Sequence, residues 1–460
     1  MTALSVFYAT LSLVFTTLPF VVMLALGLGL PMLLVLCYSR YGAGLAIIAG
    51  MFAIEAMAMY VGGLHLGITL FYTDFALAFI GLVAGLRLLL AADFPLRHRG
   101  WLIFCAVIFI NLLIGLATYG TPAGVQVRPF FYFMVTGLYA MSFPMDARRV
   151  RLTLNTLAGV GVLLLCLTAY RWVVYYTPIP GLLPEGGVYS GDGEMRVIKS
   201  NEALVLAEVL VVGLFFAAAT RGMRLAMWLS PLLLGAVLAL QHRSVWLAML
   251  VGVLIRFLLV RSKESSAFTQ ALLLVAVVGI TAAPMLVSDR LGGVTQQLQS
   301  STERVLQGAD TTGSRFNNWK ATLSLWANGG PTTLAIGKIF GADTTRYIED
   351  EKRGSIKVQF YAHNLYVQTL YNTGLIGLTA FLAALAYVIR GLYRLNRSGV
   401  GGIETQVLMV LMVMQMAYFV PYGTDYLQSL LFGVALSFVA TRLPKAAPAA
   451  ATLRTQVRGT

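Results

Sequence analysis

The chain has 460 residues, of which 58% are hydrophobic and only 11% charged, with a formal net charge of +14. Soluble domains average about 25% charged residues, so this composition excludes an ordinary soluble protein. The positive charge does not mark a nucleic-acid binder, because most of it lies in short loops between apolar runs, where Lys and Arg set membrane orientation.

Apolar runs long enough to cross about 30 Å of hydrocarbon recur along the whole chain. Leu4–Tyr38 holds one span or a tight hairpin, interrupted at Gly27–Pro31. Further spans are expected near 42–62, 72–91, 101–118, 129–145, 150–172, 200–219, 224–240, 244–260 and 268–287. A polar segment then runs to residue 363, and three more apolar runs follow near 364–390, 404–420 and 426–442. The expected fold is an all-α polytopic membrane protein with about twelve transmembrane helices (twelve to fourteen) and one large, partly helical loop. The expected division is 1–287 as a transmembrane bundle, 288–363 as the loop, 364–443 as C-terminal transmembrane helices and 444–460 as a tail. No cleavable signal peptide is expected at the N-terminus. Cys37, Cys105 and Cys166 fall in or beside apolar runs and read as packing residues.

Alternate short loops are basic: Arg40; Arg97 and Arg99; Arg148, Arg149 and Arg151; Arg221 and Arg224; Arg261 and Lys263; Arg394 and Arg397. The positive-inside rule places these, and the tail, in the cytoplasm. The long loop then lies outside, as do the shorter loops near 63–71, 119–128, 173–199, 241–243 and 421–425. Within it, Val294–Gln307 and Phe316–Ala327 have helical spacing. Ser314 is the expected cap of the second helix. Phe316, Trp319, Leu323 and Trp326 share one face, suited to a membrane surface or to the bundle. There is no phosphate-binding Gly-Lys-Ser/Thr loop and no dinucleotide fingerprint. An external reaction would therefore need an activated donor carried by a lipid.

Four residue groups bear on chemistry. Arg243 sits in the short turn Gln241-His242-Arg243-Ser244, close to hydrocarbon, where a guanidinium either snorkels or pairs with an anion. Arg315 opens a helix, and backbone N–H groups at a helix start attract phosphate; taken alone, it reads first as a surface arginine on an ordinary helix. His363, one of four histidines, precedes Asn364 at the start of an apolar helix that runs through Gly374-Leu375-Ile376-Gly377. A helix start disfavours imidazolium, so this ring tends to stay neutral and able to take a proton. It also reads as a hydrogen-bonded interfacial histidine. His242 is the rival base, and Arg196 and Lys199 add positive charge from the neighbouring loop. Tyr366, Tyr371, Tyr422 and Tyr426 read as an interfacial aromatic belt. Paired carboxylates of a metal site are not evident; Asp192-Gly193-Glu194 and Glu349-Asp350-Glu351 are the dense acidic runs, each beside basic residues.

The order of these parts resembles the bacterial O-antigen ligase/polymerase family. The matching pieces are Arg243-Ser244, Gly313-Ser314-Arg315-Phe316-Asn317-Asn318-Trp319, and His363-Asn364-Leu365-Tyr366-Val367-Gln368 running to Gly374-Leu375-Ile376-Gly377. In the family pattern Gly and Arg are adjacent, whereas Ser314 separates them here. The resemblance implies an inner-membrane glycosyltransferase with its active site facing the periplasm. The implied donor is a glycan on undecaprenyl diphosphate, and the acceptor a sugar of lipid A–core, completing lipopolysaccharide. His363 would be the base, Arg243 and Arg315 would hold the diphosphate, and Arg196, Lys199, His242 and Asn364 are candidate helpers. No cofactor, metal or nucleic acid is expected. The alternatives are an O-antigen polymerase, a protein O-oligosaccharyltransferase and, from a different class, a transporter or flippase of lipid-linked glycans.

Overall fold

In the computed structural model, residues 29–58, 64–65, 69–91, 99–177, 181, 196–259, 312–350, 354–358 and 362–443 are described. The span expected at 268–287, the helix expected at Val294–Gln307, the acidic run 192–194 and the tail lie outside them.

The described residues are mostly helical. In chain order the helices are α1 (Gly29–Ser39), α2 (Tyr41–Ala58), α3 (Tyr72–Leu90), α4 (Arg99–Tyr119), α5 (Thr121–Met141), α6 (Ala147–Tyr176), α7 (Ser200–Phe216), α8 (Arg221–Trp228), α9 (Ser230–Ala239) and α10 (Arg243–Leu259). After them come α11 (Thr312–Ala327), α12 (Gly330–Ile336), α13 (Leu365–Ser398), α14 (Gly402–Tyr418) and α15 (Tyr426–Arg442). Two antiparallel hairpins interrupt them: β1 (Leu64–His65) with β2 (Thr69–Leu70), and β3 (Arg346–Asp350) with β4 (Gly354–Val358).

Among the described residues, five helices are long and apolar enough to cross a bilayer, or up to seven if each of two bent pairs counts as one span. The chain is a multi-pass membrane protein. One bent pair is α1–α2, turned by 113°; the other is α8–α9, turned by 67°. The second falls within the span expected at 224–240. Pro231 sits in the first turn of α9, where its missing N–H does no harm, whereas continuing α8 through it would lose a hydrogen bond.

The bundle is built around helices that are apolar on every side. All of Tyr426–Ala440 in α15 is buried, as is nearly all of α7. A helix that is hydrophobic all round belongs in a core. Against α15 pack the rings of Trp101, Phe133 and Phe381, within 6.5 Å of Phe432.

The two ends of the bundle differ. Glu55 near the end of α2, the starts of α7 and α15, and the start of α3 with the second turn of α5 are tied together at one end by Lys199–Glu55 (2.9 Å), Tyr426–Glu55 (2.9 Å) and Arg128–Asp74 (3.0 Å). At the other end Arg87 donates to the carbonyls of Ser142 and Tyr38, and Arg151 pairs with Glu404 at 2.6 Å. Arg40, Arg148, Arg149 and Arg151 all lie at this second end.

Three local differences from the sequence reading have physical causes. The expected loop 119–128 is instead the first turns of α5, entered through Gly120 at φ 68° with a proline at the helix start. The helix expected from Ser314 begins earlier, at Thr312, so Ser314 is not its cap. The segment after α12 forms a hairpin: Arg346 and Ile348 are buried while Tyr347 between them is 68% exposed, the two-residue period of a strand.

The Gly374 region explains how the large loop docks. Helix α13 breaks there, with Gly374 at φ 62°, ψ −167°. A break frees carbonyls that must find donors. The Lys338 N–H donates to the Tyr371 carbonyl at 2.7 Å, and the Asn111 carboxamide donates to the carbonyls of Asn372 (2.8 Å) and Ile336 (2.5 Å). The end of α12 reaches the break backbone to backbone. A Cβ on Gly374 would lie 2.3 Å from the Ala335 oxygen, and one on Gly337 would lie 2.3 Å from the Asn372 carbonyl carbon.

Candidate active site

His363 is held between two pinned neighbours. The Ala362 N–H donates to Gln368 Oε1 at 3.0 Å, and its carbonyl accepts from Trp319 Nε1 at 2.7 Å. Asn364 is the cap of α13, its side-chain oxygen accepting from the Val367 N–H at 3.0 Å. The Leu365 N–H donates to the carbonyls of both Phe419 and Tyr422. His363 itself has φ 50°, a left-handed backbone that is uncommon for a non-glycine residue and recurs at functional sites.

The His363 ring lies edge-on to Tyr422, with centroids 5.9 Å apart. The Arg315 guanidinium covers the same tyrosine, 4.9 Å from its centroid, and donates to the Pro421 carbonyl at 3.3 Å. Tyr422 stacks on Tyr418 at 5.3 Å and 12°. Burial lowers the His363 proton affinity below the ordinary imidazole value, and the positive charges of Arg315 and Arg346 lower it further. A neutral imidazole beside two guanidiniums offers a proton acceptor next to a site for an anion.

Arg346 was missed by the sequence reading. It is 6% exposed, and its Nε donates to Asn318 Oδ1 at 2.6 Å while Nη1 donates to the Thr344 carbonyl. The alternation of Arg346, Tyr347 and Ile348 was the available signal.

The residue after Arg243, rather than Arg243 itself, is connected to this group through a chain of hydroxyls. That residue, Ser244, lies 3.3 Å from Ser200 Oγ, and the Ser200 hydroxyl bonds to Tyr418, the stacking partner of Tyr422. His242 is buried apart from them. Its Nε2 donates to the Ile198 carbonyl at 3.0 Å, so in the neutral ring that nitrogen carries the proton. Burial, reinforced by Arg196, lowers its pKa to about 4. Arg196 donates to the Gln241 carbonyl at 3.4 Å, and Lys199 turns to Glu55. The Asn364 oxygen is engaged in its cap. Two of the four tyrosines depart from the expected belt: Tyr371 and Tyr426 are 2% and 3% exposed, each on a buried face of its own helix, whereas Tyr366 and Tyr422 are half-buried.

Among curated proteins, none matches the chain. Residues 225–382 match the family described as O-antigen ligase. That segment runs from α8 through the break at Gly374 and contains Arg243, Arg315, Arg346 and His363. The likeness to the O-antigen ligase family thus covers residues 225–382, less than half of the chain.

Proposed function

We propose that the protein is an O-antigen ligase that transfers a glycan from undecaprenyl diphosphate to a sugar hydroxyl of lipid A–core, at the periplasmic end of an inner-membrane bundle. The observation that carries this reading is the shared seat of Arg315 and His363 on Tyr422. His363 accepts the acceptor's hydroxyl proton as the acceptor oxygen bonds to the anomeric carbon. The bond from that carbon to the diphosphate oxygen breaks, and its electron pair leaves with the diphosphate. Arg315 and Arg243 bind the leaving group, whose charge grows as the bond breaks. Arginine suits this role because it stays charged and binds phosphate in a planar fork. Arg346 keeps the imidazole neutral by its charge. Arg196, Lys199 and His242 shape the neighbouring wall, and no divalent metal takes part. The basic end of the bundle faces the cytoplasm, in keeping with the positive-inside rule.

Acceptor choice separates the ligase from its nearest alternative. The purified protein in liposomes is given lipid-linked glycan with either lipid A–core or a second lipid-linked glycan. Glycosylated lipid A–core is the expected product. Lengthened lipid-linked glycan would make the protein a polymerase, and glycan crossing the bilayer without covalent transfer would make it a carrier.

A further inference from the structure

The bundle end opposite His363 carries a polar cavity with a volume of about 790 Å³. Ligand sites typically span roughly 300–1,000 Å³. Arg40 lines it at the elbow between α1 and α2; Asp146, Arg148, Arg149 and Arg151 line it at the start of α6, with Asn155 one turn on. Four guanidiniums thus face one carboxylate.

Most of the polar groups already have work within the fold. Asp146 accepts from the Arg149 N–H at 2.8 Å as the cap of α6. The Arg149 guanidinium donates to the Pro144 carbonyl, and Arg151 pairs with Glu404. Asn155 Oδ1 accepts from the Gly222 N–H at 3.1 Å. Arg40 and Arg148 are different: both are exposed, and neither meets a carboxylate among the described residues. Two guanidiniums at one cavity, neither paired with a carboxylate, make a seat for phosphate oxygens.

Exposed apolar side chains adjoin the cavity. Leu152 lines it and is 42% exposed. Helix α1, turned 113° from α2, ends at Ser39 on the cavity and exposes Met32, Val35 and Leu36. A free phosphate would leave that apolar surface uncovered, whereas a phospholipid would cover it with acyl chains. Basic pockets between helices on the cytoplasmic side are suited to acidic headgroups. We propose that this cavity binds the phosphate headgroup of an anionic phospholipid, with Arg40 and Arg148 on its oxygens and the acyl chains along α1 and Leu152. The lipid would join the α1–α2 elbow to the start of α6.

The test uses the full-length protein, delipidated in detergent, with native mass spectrometry and thermal unfolding as readouts. Phosphatidylglycerol should bind and raise the melting temperature; phosphatidylethanolamine and inorganic phosphate at equal concentration should not. The double variant Arg40→Gln/Arg148→Gln should lose at least about tenfold in phosphatidylglycerol affinity, about 1.4 kcal/mol. The double variant Arg40→Lys/Arg148→Lys should retain most of the binding, which separates lost charge from lost fold. Equal binding of both lipids, or unchanged binding in the Gln variant, overturns the proposal. Stabilisation by inorganic phosphate alone assigns the cavity to a free anion and overturns the lipid.

Discussion

Arg315 and His363 meet on one ring: the guanidinium lies 4.9 Å and the imidazole centroid 5.9 Å from the centroid of Tyr422. One comes from the first turn of the loop helix α11, the other from the residue before the cap of α13. Tyr422 in turn belongs to the α14–α15 connection, whose carbonyls hold the Leu365 N–H. The loop and the bundle therefore build the site together, and displacing either separates the cation from the base.

The charge around His363 sets a pH dependence. Burial, then Arg315, then Arg346 depress its proton affinity, so the ring remains neutral at pH values where a free imidazole, with a pKa of about 6.5, begins to protonate. Turnover should be flat near neutrality and fall only on a more acid limb. Arg346→Gln removes one of the depressing charges, so the limb should move to higher pH. A kcat/KM profile checks this; a limb that stays in place in the Arg346→Gln protein would assign it to another group.

Arg243 and Arg315 should each lose transfer as Ala, by about 100-fold or more if each stabilises developing charge. Lysine should rescue only partly, because it keeps the charge and loses the fork. Equilibrium binding of lipid-linked donor and of acceptor, measured separately, checks the assignment. Donor binding should weaken more. Unchanged donor affinity in both Ala variants would give the arginines another task.

His242 should make the protein sensitive to acid. Its folded pKa of about 4 lies below the unfolded value of about 6.5, so the unfolded chain binds the proton first. The contribution is fully present above about pH 6.5 and is lost as pH falls towards 4, by as much as about 3 kcal/mol. His242→Gln should flatten this part of the pH dependence of thermal unfolding. A variant whose melting temperature falls with acid as steeply as the parent's would show that His242 is not the sensitive group.

The break in α13 should tolerate no side chain. Gly374→Ala places a Cβ against the Ala335 carbonyl in a backbone region almost confined to glycine, a cost of about 1–3 kcal/mol before the clash is counted. Gly399→Ala is the control. Gly399 is also left-handed, at φ 71°, but a Cβ there meets open space. Melting temperatures of the two variants should differ clearly, with Gly374→Ala the lower. Equal effects would mean that the close approach of α12 adds nothing to the backbone cost.

Much of the fold was legible because membrane helices declare themselves by length and apolarity: α3, α4, α6, α7 and the three C-terminal helices fall where the apolar runs are. What the runs do not carry is direction within a span. The turn at α8–α9 rests on Pro231, and the break at Gly374 rests on what packs against it, Gly337, which is remote in sequence. Arg243, Arg315 and His363 stood out by their places in a short turn and at helix starts, and because those segments resemble the O-antigen ligase/polymerase family. Tyr422 did not, since a tyrosine at a helix end is common in membrane proteins, and its role comes from two other elements reaching it. Arg346 was hidden in a strand whose alternation spans only a few residues, within a segment read as a partly helical loop.

The most direct measurement is covalent transfer by purified protein in liposomes. It uses lipid-linked glycan and lipid A–core in EDTA, comparing the parent with His363→Ala and following the melting temperature of both. Glycosylated lipid A–core should form with the parent despite chelation, and should be abolished in His363→Ala while that variant still melts normally. Near-parental turnover in a well-folded His363→Ala protein, or activity that returns only on adding back a divalent metal, would contradict the account.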